Sequence, residues 1–185
     1  MQQIKSMLKD EMLSGYDPGF NAAHFLFEKD CFLKMQQFDG KETGNIITHE
    51  CTAYNINQRM ILTTLQREQG LITKSDIKQV LTYKRANGDI MNPLEWACGC
   101  GVPDNSPSMA KYKGFENQIK GACATYRHWF DVFKPETAIE LLDKAIKTCI
   151  PETAITLALL QYTPHIESLT TTERIFVGFF PDQFK

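Results

Sequence analysis

The chain has 185 residues, 43% of them hydrophobic, 11% aromatic and 23% charged. That is the balance of a globular chain long enough for one domain with its own core. A formal net charge of -2 at pH 7 lacks the basic footprint of a nucleic-acid binder, and no apolar run approaches the roughly 20 residues of a membrane-spanning helix.

The opening, "MQQIKSMLKDEMLSGYD", lacks the apolar middle of a secretory signal. Either the protein starts in the cytosol or a leader has been removed. Within it, Ile4, Leu8 and Met12 predict a first helix. "NAAHFLFEKDCFLKM", from Asn21 to Met35, predicts a second, followed by a turn at Gly40 and Gly44. "NIITHECTAY" places Ile47, Cys51 and Tyr54 on one stripe. Asn57 suits the N-cap of the next helix, which ends near Arg67 or Glu68. Ile56 and Ile61 are spaced as a hydrophobic staple, and Gly70 stops it. Ser75 is read as the cap of a further segment carrying Ile77, Val80, Leu81 and Lys84 and ending at Asn87-Gly88. Asn92-Pro93 opens a short helical turn that runs into "CGCG".

"GVPDNSPSMAKYKG", Gly101 to Gly114, reads as a long loop, and long loops in compact domains often carry function. A helix follows with Phe115, Ile119, Ala122, Cys123 and Tyr126 on one face. "PETAIELLDKAI" and "PETAITLALL" each start with a proline suited to the first helical position. Their shared "PETAI" reads as two similar helix starts rather than a repeat. The aromatic tail "RIFVGFFPDQF" is expected to pack onto the body. The expected fold is mainly α, a single domain of eight or nine helices with at most a small β-hairpin.

Glu68 stands out, because it shares the helix face of the apolar Ile61 and Leu65. A carboxyl desolvated there, at the negative end of a helix dipole, is expected to be harder to ionise, as a general acid at neutral pH requires. The competing reading is a plain surface glutamate at a fraying end.

The six cysteines, at 31, 51, 98, 100, 123 and 149, are scattered. They are expected to be mostly buried thiols, with one or two disulfides open if the protein is exported. His49 with Cys51, and Cys98 with Cys100, lack the paired spacing of structural zinc. Cys98 or Cys100 with His128 or His165 as a nucleophile pair is no better than chance. The glycines of "CGCGVPD" match no phosphate-binding pattern and suit a tight turn or a close backbone approach. Tyr162, at helical spacing from Ile155 and Leu159, reads as a core tyrosine or a cleft-lining hydroxyl. No metal or cofactor is expected.

In order, "YNINQRMILTTLQREQGLI", "WACGCGVPD", "FENQIKGACATYRHW" and "ETAITLALLQYTPHI" resemble the lysozyme-like superfamily, in its lytic transglycosylase and goose-type lysozyme branch. They are also similar to a group of little-characterised bacterial lysozyme-like proteins. The resemblance spans residues 45–166, with N-terminal helices over 1–44 and an aromatic segment over 167–185, all within one lysozyme-like, transglycosylase-type domain. Gln69 stands where the branch has serine after its glutamate, and "TPHI" replaces its Asn-Ala-Gly turn.

The resemblance implies a peptidoglycan-cleaving muramidase cutting between N-acetylmuramic acid and N-acetylglucosamine. Glu68 would be the general acid and Tyr162 would hold the geometry. The outcome would be either anhydro-sugar formation or inverting hydrolysis, the latter with Asp104 or Asp89 as a second carboxylate. Gly99, Gly101 and Gln118 would line the cleft and bind acetamido groups, and Trp96 and Tyr112 would stack on sugar rings, with core packing as the alternative for Trp96. The implied partner is the peptidoglycan glycan strand, bound by a monomer that is extracellular, periplasmic or phage-delivered. The alternative is a non-catalytic wall- or glycan-binding module.

Overall fold

The computed structural model describes residues 2–103, 106–138, 140–141 and 149–185. Among them are six α-helices: α1 Ala22–Glu28, α2 Thr43–Tyr54, α3 Gln58–Gln69, α4 Phe115–Val132, α5 Ala154–Tyr162 and α6 Ile166–Phe179. The strands are short. β1 (Gln2–Ile4) runs parallel to β6 (Cys149–Pro151). Two hairpins pair β2 (Gln37–Phe38) with β3 (Lys41–Glu42) and β4 (Tyr83–Lys84) with β5 (Ile90–Met91). The fold is mainly α, with more strand than the single hairpin expected.

The helix that carries Glu68 is central. Seven of its residues, Gln58 and Met60 to Leu65, are buried. Asn57 caps it by accepting from the Arg59 N–H at 3.0 Å, and Ile56 and Ile61 are fully buried on either side of that cap. At the other end Gly70 adopts the left-handed conformation, φ +60°, where a side chain is disfavoured. Lys74 Nζ then donates to the carbonyls of Gln69 and Gly70 at 2.8 and 2.9 Å. Gln66 Oε1 accepts from the backbone of Ile72 and Thr73. The last turn is thus fastened to the chain that follows, which places residues 67–69 firmly.

Helices α4 and α6 pack against α3, and α5 packs against both of them. Tyr126 of α4 shares a 2.9 Å hydrogen bond with the Thr64 hydroxyl of α3. Phe176 and Phe180 are buried, and Phe180 meets Phe20 edge-on at 5.6 Å, so the aromatic tail does pack onto the body. No helix among the described residues is long and apolar enough to cross a membrane.

Several expected elements differ. Residues 2–12 form no helix; β1 is claimed by β6, and a single 3-10 turn follows at Asp10–Met12. The second helix stops at Glu28 because Asp30 turns the chain with φ +51°. Asp76, not Ser75, caps one 3-10 turn, Ile77–Gln79, and the chain then enters the β4–β5 hairpin. Ile77 and Leu81 are exposed there, so their helical spacing reflects no buried face. Pro151 ends β6, and Thr153 caps α5 in its place. Of the helix expected over 135–146, residues 139 and 142–146 lie outside the described residues, and 135–138 and 140–141 form turns.

Candidate functional site

Glu68 sits in the last turn of α3 with a side chain 24% exposed. The expectation of a carboxyl on a purely apolar stripe is corrected. Its Oε1 accepts from Arg67 Nε at 2.8 Å and from Arg67 Nη2. Neighbouring residues on a helix normally face apart, but both side chains are long and the helix ends here. Arg67 is 6% exposed. It also donates to Thr172 Oγ1 of α6 at 2.9 Å and lies over the Tyr162 ring, 5.1 Å from its centroid. Burial opposes the charge of Arg67, but Tyr126, Glu68 and Tyr162 around it outweigh burial and hold its pKa above the usual arginine value.

The second oxygen, Oε2, lies against the Gly99 α-carbon. A Cβ at Gly99 would be 2.9 Å from it, and Gly99 has φ +70°. Gly101, at φ +71°, leaves equally little room: a Cβ there would be 2.3 Å from the Tyr112 ring. The glycines therefore serve both a tight turn and close approaches. Gly99→Ala should lose about 1–2 kcal/mol of stability from its left-handed backbone, measured by urea unfolding. Because the added methyl meets the tip of Glu68 rather than the core, any activity carried by Glu68 should fall by far more than that.

The loop that carries these glycines is clamped by Gln118 of α4. Gln118 is fully buried. Its Oε1 accepts from the Cys98 and Cys100 N–H groups at 3.1 and 3.0 Å, and its Nε2 donates to the Cys100 and Tyr112 carbonyls at 2.9 and 2.7 Å. The side-chain amide is spent on the backbone, so the expectation that Gln118 binds sugar is corrected: it shapes the cleft wall.

Tyr162 serves the same loop. Its hydroxyl donates to the Cys98 carbonyl at 2.6 Å and lies 3.1 Å from Cys100 Sγ, while its ring stacks on Tyr126 at 4.6 Å. It supports Arg67 and the loop. Burial first, then the neighbouring thiols, raise the Tyr162 pKa well above its usual value. Cys98 is buried and its thiol pushed well up by burial; burial likewise pushes the Cys100 thiol up to about 12. Neither is an activated nucleophile, and Cys100 is bonded to a tyrosine rather than a histidine. His49 contacts Glu50, while Cys51 faces the Cys123 sulfur at 3.9 Å, so the "HEC" pair diverges. Cys31, Cys51, Cys98, Cys100 and Cys123 are free thiols.

Two concavities lie near this end of α3, one taking in Gly99 and the other Glu68 itself. One, of about 360 Å³, is lined by the backbone from Gly99 to Pro103 with Met109, Tyr112, Thr125, Gln161 and Tyr162. The other, of about 280 Å³, is lined by Arg67, Glu68, Thr163, Glu167, Ser168 and Thr171. Gly99, Gly101 and Tyr112 thus keep their expected place at a groove. Trp96 lines neither; it borders a third concavity of about 200 Å³, and at 5% exposure its ring is no stacking platform.

Of the expected second carboxylates, Asp104 lies outside the described residues. Asp89 is a structural residue, accepting from Ser108 N at 3.1 Å and Ser108 Oγ at 3.0 Å. Those bonds, the backbone one foremost, lower its pKa below the ordinary carboxylate value. A depressed folded-state pKa contributes stability above the unfolded value, about 3.9, that is lost as pH falls through the folded one. Asp89→Asn should therefore melt below the wild type at pH 6, with the gap closing as pH drops below about 4.

Sequence reasoning missed Arg67 and the α6 residues Glu167, Ser168 and Thr171. The "RE" pair was visible in "LQREQG", but no local pattern brings α6 to the end of α3. No protein-family model, curated protein or solved structure matches the chain.

Proposed function

We propose that the chain is a lysozyme-like muramidase that cuts peptidoglycan between N-acetylmuramic acid and N-acetylglucosamine. Glu68 is the general acid in this reading. The observation that carries it is the position of Glu68: a rigidly capped helix end holds its carboxyl in a concavity, with one oxygen against the Gly99 backbone. The order of the sequence motifs adds to it. Five of the six peptide groups of Gly99–Gly101 are bonded within the chain, so the loop supplies a shaped wall, and Tyr112 offers a half-buried ring to a sugar face.

In the reaction, Glu68 passes a proton from Oε2 to the glycosidic oxygen as positive charge develops at the anomeric carbon. That carbon is then taken either by the C6 hydroxyl of the muramyl unit, giving an anhydro sugar, or by water. Arg67 anchors Oε1 and so fixes the direction of Oε2. A protein with this activity works outside the membrane, in the periplasm, or on a wall reached by a phage or secretion device.

The second reading, a glycan-binding module without turnover, is favoured by the ion pair itself, which holds Glu68 as the partner of a buried guanidinium. Digestion of purified peptidoglycan from several wall types, with fragments weighed, separates the two. Released disaccharide-peptide fragments support the muramidase. Wall binding without release supports the module. Neither binding nor release sinks both.

A further inference from the structure

We infer that Glu167 is the second carboxylate of the site and holds the attacking water, so that cleavage is hydrolysis with inversion at the anomeric carbon. This inference rests on the muramidase reading. Glu167 and Glu68 line one cavity of about 280 Å³, and a water needs only about 30 Å³ of it. Among the described residues, Glu167 is the other carboxylate of that cavity.

The two acids stand on separate, mutually anchored helices. Glu68 is in the last turn of α3 and Glu167 in the first turn of the 14-residue α6. Arg67 ties the helices together through Thr172. The carboxylate of Glu167 is exposed and accepts no hydrogen bond or ion pair among the described residues, so its oxygens are available to water. Its backbone is fixed instead: the Glu167 carbonyl accepts from Thr171 Oγ1 at 2.9 Å. The positive end of the α6 dipole stabilises negative charge at this place. Asp89, by contrast, is spent on Ser108.

The step balances. The water oxygen bonds to the anomeric carbon of the muramyl unit as the bond from that carbon to the glucosaminyl oxygen breaks. Glu68 gives its proton to the departing oxygen, and Glu167 takes one proton from the water. Solvent then returns both carboxyls to their starting states. This division of roles is the inverting one.

The test compares wild type, Glu167→Gln and Glu167→Ala on purified peptidoglycan. Fragment masses, the anomer first formed and melting temperature are read for each. The expected wild-type products are full-mass reducing fragments, α at first appearance. Glu167→Gln should cut turnover by about 100-fold or more with an unchanged melt. Azide should restore Glu167→Ala by adding to the anomeric carbon as a glycosyl azide.

Wild-type fragments one water lighter would overturn the inference and leave the muramidase standing. So would undiminished turnover in Glu167→Gln. A slow variant that forms no azide adduct makes Glu167 a positioning residue and also overturns it. No release by the wild type from any wall fails the muramidase reading itself, and Glu167 falls with it.

Discussion

Glu68→Gln should end peptidoglycan cleavage while leaving the chain folded. The amide keeps the size and planarity of the carboxyl but has no proton to give, and general-acid catalysis contributes about 10²–10⁴-fold. Turnover should fall by at least that range at every pH. The variant also strips Arg67 of its anionic partner. Arg67 is 6% exposed but Glu68 is 24% exposed, so the lost pair is partly screened and the penalty should be about 1–2 kcal/mol. Fragment release and urea unfolding, run together, separate the two effects. A variant that cleaves at the wild-type rate would remove Glu68 from the chemistry. One that fails to bind the wall would show that the Arg67–Glu68 pair shapes the groove itself.

Gln118→Leu should be the most damaging single change near the groove. It leaves two buried N–H groups, of Cys98 and Cys100, and two carbonyls, of Cys100 and Tyr112, without their partner. Each orphaned group costs about 1–3 kcal/mol, reduced where water or a backbone shift provides relief. About 3–5 kcal/mol in total is expected, a large share of a domain's margin. The loop would then no longer hold Gly99 against Glu68, and cleavage should fall at temperatures where the variant is still folded. Urea midpoints and fragment release measure the two losses. A stability change below about 1 kcal/mol would show that other contacts hold the glycine loop.

What could be read from the residues was what short-range physics decides. Asn57, the Ile56–Ile61 staple and Gly70 mark both ends of α3, because cap and αL preferences act within a few residues. The face carrying Phe115, Ile119, Ala122, Cys123 and Tyr126 is buried as its spacing implied. Gly99 and Gly101 take the positive φ that their type favours. The regularity of Ile77, Val80, Leu81 and Lys84 misled because helical spacing also arises by chance in a short stretch, and only packing shows whether a face is covered. Residues 2–4 became a strand because their partner, Cys149–Pro151, is far away in the chain.

The site itself was half legible. A glutamate at a helix end beside a glycine-rich loop could be picked out locally. That Arg67 grips it, that Gln118 and Tyr162 turn inward to hold the loop, that Trp96 is buried and that α6 brings Glu167 to the same cavity were decided by tertiary structure. Each depends on which long side chain finds a partner across helices that the sequence does not place next to one another.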